Sequence, residues 1–181
     1  DFSDEDIEVI VTGLRKGLKL SSPPPELRAL QPKIQSILEA KAKAAQAKLS
    51  EKSKAASVAY FAGLAKKPGV LKDPSGFYYE ILKEGTGAFP TMEDTVRLHY
   101  HGTLIDGTVF DSSKERNSPA SFPMRGVIKG FSGGLTKVKV GGKVRIHIPS
   151  DLGYGDNPRP GGLIKPGDTL IFECELLGIM K

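Results

Sequence analysis

The strongest constraint on this 181-residue chain is an abrupt change of pattern near residue 70. Residues 1–70 show almost no alternation of β-branched side chains and few glycines, whereas residues 76–181 hold most of the glycines and aromatics and repeat with a period of two. The first pattern belongs to helices and the second to strands, because side chains return to one face every 3.6 residues on a helix and every second residue on a strand. At the junction, Lys66-Lys67-Pro68-Gly69-Val70 and then Asp73-Pro74-Ser75-Gly76 supply stop and turn chemistry, since proline cannot continue a helix and glycine accepts positive φ. The expected organisation is a helical arm over 1–70, a linker over 71–76 and a separate domain over 77–181.

In the arm, Ser3 and Asp6 set an acidic first turn, and Ile7, Ile10, Val11, Leu14 and Leu18 recur at helical spacing. Ser21-Ser22-Pro23-Pro24-Pro25 ends this short amphipathic helix. Glu26 opens a second, with Leu27, Leu30, Ile34, Ile37 and Leu38 on one face and Pro32 either starting the helix proper or kinking it. From Glu39 to Lys67 the composition turns to Ala, Lys, Gln and Glu, all good helix formers, with Leu49, Val58, Phe61 and Leu64 as its larger apolar residues. A continuous helix from Pro32 to Lys67 would run on the order of 50 Å. Its middle has too little apolar surface to need a core, so it is expected to stand in solvent as a stalk. The apolar faces ahead of it are too small to bury themselves and are expected to be covered by a second copy, giving a homodimer through the N-terminal helices. The alternative is that the arm packs back on the C-terminal domain.

The second half predicts strands over Phe77–Lys83, Thr95–Gly102, Thr108–Asp111, Ser121–Met124, Lys143–Pro149 and Thr169–Gly178. Val96, Leu98 and Tyr100 share one strand face, as do Phe172, Cys174 and Leu176, so each strand has one buried side. Asp106-Gly107 is hairpin chemistry, and Asn157-Pro158-Arg159-Pro160-Gly161-Gly162 is loop chemistry. Phe131 to Val138 is expected to form a short helix across the concave face of an antiparallel sheet. The fold class is therefore α+β, preceded by an all-helical arm.

The net charge of +5 permits an anionic partner, but acids and bases are interspersed and aromatics do not alternate with the bases, which argues against nucleic-acid binding. A lone Cys174 excludes an intrachain disulfide and alternates into the core as an inert thiol. No apolar run is long enough to span a bilayer, and Asp1 to Glu8 lacks the basic and apolar regions of a signal peptide. A first residue other than Met reads as a processed or trimmed product whose leader would be missing. His99 and His101 lie two apart on one strand face, but with only His147 as a third histidine no metal site is predicted. Gly85-Thr86-Gly87 precedes neither a helix nor a Gly-Lys-Ser/Thr signal and is not read as a phosphate loop.

The run from Val96 through His99-Tyr100-His101-Gly102-Thr103 and Asp106-Gly107-Thr108-Val109-Phe110 to Asp111-Ser112-Ser113 closely resembles the signature of FKBP-type peptidyl-prolyl isomerases. Val127-Ile128-Lys129-Gly130-Phe131, Ile148-Pro149-Ser150-Asp151-Leu152-Gly153-Tyr154-Gly155 and Ile164-Lys165-Pro166-Gly167-Asp168-Thr169-Leu170-Ile171-Phe172 match the remaining blocks in order. The arm, with Lys66–Val70 ahead of Ser75-Gly76-Phe77-Tyr78-Tyr79, is similar to the Mip-like branch of that family. The resemblance implies an antiparallel half-barrel wrapped on a short helix, dimers, a periplasmic or cell-surface location, and no cofactor. As partners it implies proline-containing peptides, unfolded protein clients and macrolide inhibitors of the rapamycin type.

Rotation about an X-Pro bond faces a barrier of about 18–20 kcal/mol because amide resonance must be broken, yet no covalent bond need form. The twisted amide is less charge-separated than the planar one, so a dry apolar pocket with a donor aimed at a carbonyl favours it. By motif position Tyr100, Phe110, Asp111, Ile128, Tyr154 and Phe172 are the expected catalytic groups, with Phe122, Val127, Phe131, Leu163 and Ile164 binding substrate. The Ile128 N–H and the Tyr154 hydroxyl would take substrate carbonyls. Asp111 resembles the family's lone pocket carboxylate, with Tyr100 and Arg116 as its expected partners. Phe131 stands where tryptophan is common, leaving a roomier floor; Ala120 and Arg159 also depart from frequent family residues. The competing reading is a module or holdase that captures proline-containing segments without turnover, and a more remote one is an anion-binding scaffold.

Overall fold

The structure, a computed structural model, describes the backbone of residues 3–17 and 25–180 and the side chains of residues 3–15 and 32–180. The chain falls into two compact units, residues 1–44 and 45–181.

In the first unit, α1 (Asp4–Gly17) opens on a reciprocal cap: Ser3 Oγ accepts the Asp6 N–H at 3.2 Å, and Asp6 Oδ2 accepts the Ser3 N–H at 3.1 Å. The second helix, α2 (Pro25–Leu64), is 40 residues long. Proline suits its first position, where the missing N–H has no intrahelical partner anyway. Pro32 does not start the helix but lies inside it, and the helix ends at Leu64 rather than Lys67. Leu18 and the break at Ser21–Pro24 lie outside the described residues, as do the Leu27 and Leu30 side chains. Ile7, Ile10, Val11 and Leu14 on α1, and Ile34, Ile37 and Leu38 on α2, are all exposed. Lys41 pairs with Asp6 at 3.3 Å.

The second unit corrects the stalk expectation for the last five turns of α2. Gln46, Ser50, Ser53, Ser57, Tyr60, Phe61 and Leu64 recur every three or four residues and form the covered stripe of the helix, while Leu49 and Val58 point to solvent. Much of that stripe is small and polar, so apolar periodicity does not reveal it. Hydroxyls replace alkyl groups as the docking chemistry: Ser57 Oγ accepts from Thr169 Oγ1 at 2.7 Å, and Tyr60 Oη lies 2.7 Å from His147 Nδ1. Phe61 stacks on Tyr78 with ring centres 5.1 Å apart, and Leu64 is buried.

Seven strands form one antiparallel sheet: β1 (Leu71–Lys72), β2 (Tyr78–Lys83), β3 (Thr95–Leu104), β4 (Val109–Ser112), β5 (Ala120–Pro123), β6 (Lys143–Ile148) and β7 (Leu170–Met180). Their spatial order is β1-β2-β6-β7-β3-β4, and β5 also pairs with β3. Thus β4 meets the His101–Thr103 end of β3 and β5 the Thr95–Leu98 end, so one edge of β3 is covered by two short strands in succession. Alternation along β3 buries Val96, Leu98 and Tyr100, and along β7 it buries Phe172, Cys174 and Leu176. The sequence pattern contains no sign of β1. Within residues 71–76, Leu71 and Lys72 pair with β2 and the chain then turns through Asp73, whose carboxylate accepts the Ser75 N–H at 2.9 Å and pairs with Lys137 at 2.8 Å.

The short helix α3 (Lys129–Leu135) packs on β6 and β7. It ends three residues before the expected Val138, which is nonetheless buried. Two small residues set its closeness to the sheet, since a Cβ on Gly134 would stand 2.5–2.6 Å from three Ile146 side-chain carbons, and one on Gly130 would overlap Ile148. With Phe131 and Leu135 facing inward, α3 supplies the concave face with its core.

Candidate active site

The floor of the site follows from α3. Phe131 projects from its first turn with 4 % of its surface exposed and meets the Phe172 ring from β7 at 4.8 Å, the Phe122 ring from β5 at 6.0 Å and the Tyr100 ring from β3 at 6.4 Å. Phe110 on β4 stands edge-on to Phe172 at 5.3 Å. These mostly edge-to-face pairs suit ring quadrupoles and lock the floor without filling the space above it. Above the floor lies a cavity of about 560 Å³, rimmed by Val127, Ile128, Tyr154, Pro158, Arg159, Leu163 and Ile164. All eleven residues expected from motif position converge on this one hollow.

Ile128 is the residue immediately before α3, with φ −58° and ψ 144°, and its carbonyl accepts the Phe131 and Ser132 N–H groups. Among the described residues no protein acceptor takes its own N–H, which leaves a donor beside the cavity. Tyr154 lies on the rim with 47 % of its surface exposed, so its ring walls the entrance rather than the floor.

Two charged residues line the cavity, Asp111 on β4 and Arg159 on the rim. Tyr100 Oη donates to Asp111 Oδ2 at 2.5 Å, Arg116 pairs with the other carboxylate oxygen, and Arg116 Nη2 donates to the tyrosine hydroxyl at 2.7 Å. Burial pushes the Asp111 carboxyl up, but the Tyr100 hydrogen bond and the adjacent guanidinium outweigh it and hold the carboxyl below its ordinary value. Burial and the hydrogen bond to Asp111 both push the Tyr100 phenol up, so the pair is a neutral phenol and a carboxylate at neutral pH. No nucleophile and general base stand together here. The arrangement is an apolar, ring-floored hollow with an unpaired backbone donor and one compensated carboxylate, suited to holding and desolvating an amide rather than cleaving it.

A family model described as FKBP-type peptidyl-prolyl cis-trans isomerase matches residues 87–177, and a second, described as the domain amino terminal to that isomerase, matches residues 1–81. The chain belongs to the FKBP-type peptidyl-prolyl cis-trans isomerase family. It is 40 % identical over 173 residues to the FKBP-type 22 kDa peptidyl-prolyl cis-trans isomerase of Escherichia coli strain K12, covering 96 % of this chain and 83 % of that one. It is 38 % identical over 178 residues to the outer membrane protein MIP of Legionella longbeachae, covering 96 % and 76 % respectively. Among solved structures, that of FkpA from Escherichia coli superposes with a TM-score of 0.81 at 34 % identity, covering 96 % of this chain and 82 % of that one.

Within this FKBP-type fold the hollow also recruits Gly126, Pro158, Arg159 and Gly162, which were not among the expected site residues. Their signal was the Gly/Pro-rich stretch at 157–162, legible as a loop but not as a wall. Ala120 packs against the core from β5 without lining the cavity. His99 and His101 turn to Ser113 and Ser112, with Nδ1 to Oγ distances of 3.2 and 3.0 Å. Among the described residues no helix is long and apolar enough to cross a membrane.

Proposed function

We propose that this chain accelerates cis/trans rotation about X-Pro bonds of peptides and unfolded proteins. The observation that carries the reading is the union of a buried aromatic floor with very few polar groups over one cavity. A prolyl ring entering that hollow loses water from its apolar faces, and the planar amide loses solvation of its charge-separated form. The less polar twisted amide is then favoured, while the Ile128 N–H and the Tyr154 hydroxyl hold the carbonyls on either side. Tyr100, Phe110, Asp111, Ile128, Tyr154 and Phe172 are the groups assigned to the rotating bond. Phe122, Val127, Phe131, Leu163 and Ile164 grip the proline and its neighbours. Macrolides of the rapamycin type compete for the same hollow.

The exposed apolar residues of the first unit support assembly as a homodimer and a role as a folding chaperone, and the similarity to a relative named outer membrane protein MIP supports a periplasmic or cell-surface location. The functional division into an arm over 1–70, a linker and an isomerase domain over 77–181 goes with this reading. A protease-coupled isomerisation assay on an X-Pro peptide tests the enzyme directly, and a rate no higher than the uncatalysed one would favour a holdase. Removing residues 1–38 should leave short-peptide turnover nearly intact while light scattering reports monomers; an unchanged dimer would refute the assembly.

A further inference from the structure

One wall of the cavity belongs to a single loop, 156–168, which contributes Pro158, Arg159, Gly162, Leu163 and Ile164. Between residues 158 and 164 its one backbone hydrogen bond is from the Gly162 N–H to the Arg159 carbonyl, at 3.4 Å. The position of the apex therefore depends on how the two ends of the loop are held.

Both ends are held by α2. At the entry, Asp156 accepts from Ser50 Oγ at 2.6 Å and from Lys54 Nζ at 2.8 Å, and Gln46 Nε2 donates to Asn157 Oδ1 at 3.2 Å. At the exit, Asp168 Oδ1 accepts from Ser53 Oγ at 2.6 Å while its Oδ2 accepts the Lys165 N–H at 2.8 Å. The neck between them is closed by the Gly167 N–H to the Gly155 carbonyl, at 3.0 Å. Gly167 has a φ of +79°, and a Cβ there would stand 2.8 Å from the Ser50 carbonyl oxygen, so the neck lies against the helix backbone where no side chain fits. Hydrogen bonds to carboxylates are stronger and more directional than those between neutral groups, which suits them to fixing a loop rather than only covering it.

We propose that Ser50 and Ser53 are positioning residues of the isomerase site. By holding Asp156 and Asp168, the docked turns of α2 set the placement of Leu163 and Ile164 over the cavity and hence the affinity for the substrate. This rests on the isomerase reading. A loop held at both ends is pre-organised, and releasing it makes each binding event carry the ordering cost without altering the groups that act on the rotating bond.

The test is the double variant S50A/S53A in the full chain, where serine-to-alanine changes favour the helix itself. S57A is the control, because it removes a docking hydroxyl that reaches Thr169 instead of the loop. With X-Pro peptides the double variant should raise KM about fivefold and leave kcat within about twofold, and the hydrogen-bonded amides of Gly162, Lys165, Gly167 and Asp168 should exchange hydrogen about tenfold faster. Ser53→Ala alone should show a smaller shift in the same direction, and Ser53→Thr, which keeps the hydroxyl, should restore both readouts. Unchanged KM and unchanged exchange in the double variant, or an equal change in S57A, would overturn the proposal. A wild-type chain without isomerase activity would sink the functional reading, while the exchange measurement would still decide whether these serines hold the loop.

Discussion

Acid should weaken this fold first through His147. Its ring is 3 % exposed, Tyr60 Oη sits 2.7 Å from Nδ1, and the Nε2 atom is buried without a hydrogen-bond partner, 3.8 Å from Glu80 Oε1. Burial is the main cause that pushes the imidazole down to about 4; Glu80 opposes it, and Arg145 and Lys67 assist it. Between pH 6.5 and 4 the unfolded chain carries a proton on His147 and the folded one does not, so stability is full above 6.5 and falls as pH drops through that window. A depression of this size corresponds to a total of about 3 kcal/mol at 1.36 kcal/mol per unit, of which about 2 kcal/mol is already lost by pH 5. Asp73 acts in a separate range. Its burial is outweighed by Lys137 and Ser75, which hold it at about 2, so its contribution fades only below its ordinary 3.8. Urea unfolding at pH 7, 6 and 5 should therefore show a declining midpoint in wild type and a nearly flat one in His147→Gln. A variant as pH-sensitive as wild type would refute the assignment.

Tyr100→Phe keeps the floor ring and removes the hydroxyl shared by Asp111 and Arg116. Stability should fall by about 1 kcal/mol, at the low end for a bond to a charged group because the half-exposed carboxylate rehydrates, and the Asp111 pKa measured by NMR should rise. Gly102→Ala would place a Cβ 2.7 Å from the Phe110 ring, and the displaced ring should raise KM for X-Pro peptides several-fold with a smaller effect on the unfolding midpoint. In Gly134→Ala the gain of about 1 kcal/mol in helix propensity is outweighed by overpacking against the fully buried Ile146, so net destabilisation of about 1–2 kcal/mol is expected by thermal unfolding.

Local chemistry made much of this protein readable from its residues alone. Val96, Leu98 and Tyr100 announce a one-sided strand because strand periodicity is a property of consecutive residues, and Ser3 with Asp6 announces a helix start because the cap is closed within one turn. Motif order placed eleven residues around one hollow that spans four strands, a helix start and two loops. Tertiary structure alone decided which face of α2 is covered. Ser50, Ser53 and Ser57 look like solvated helix residues until Asp156, Asp168 and Thr169, more than a hundred positions away, come to meet them. The same holds for the burial of His147, the two-residue strand β1, and the change of 157–162 from loop to cavity wall. Periodicity in a sequence records how much water a side chain avoids, whereas a hydrogen bond between distant polar groups leaves no such record, because either partner alone is equally content in water.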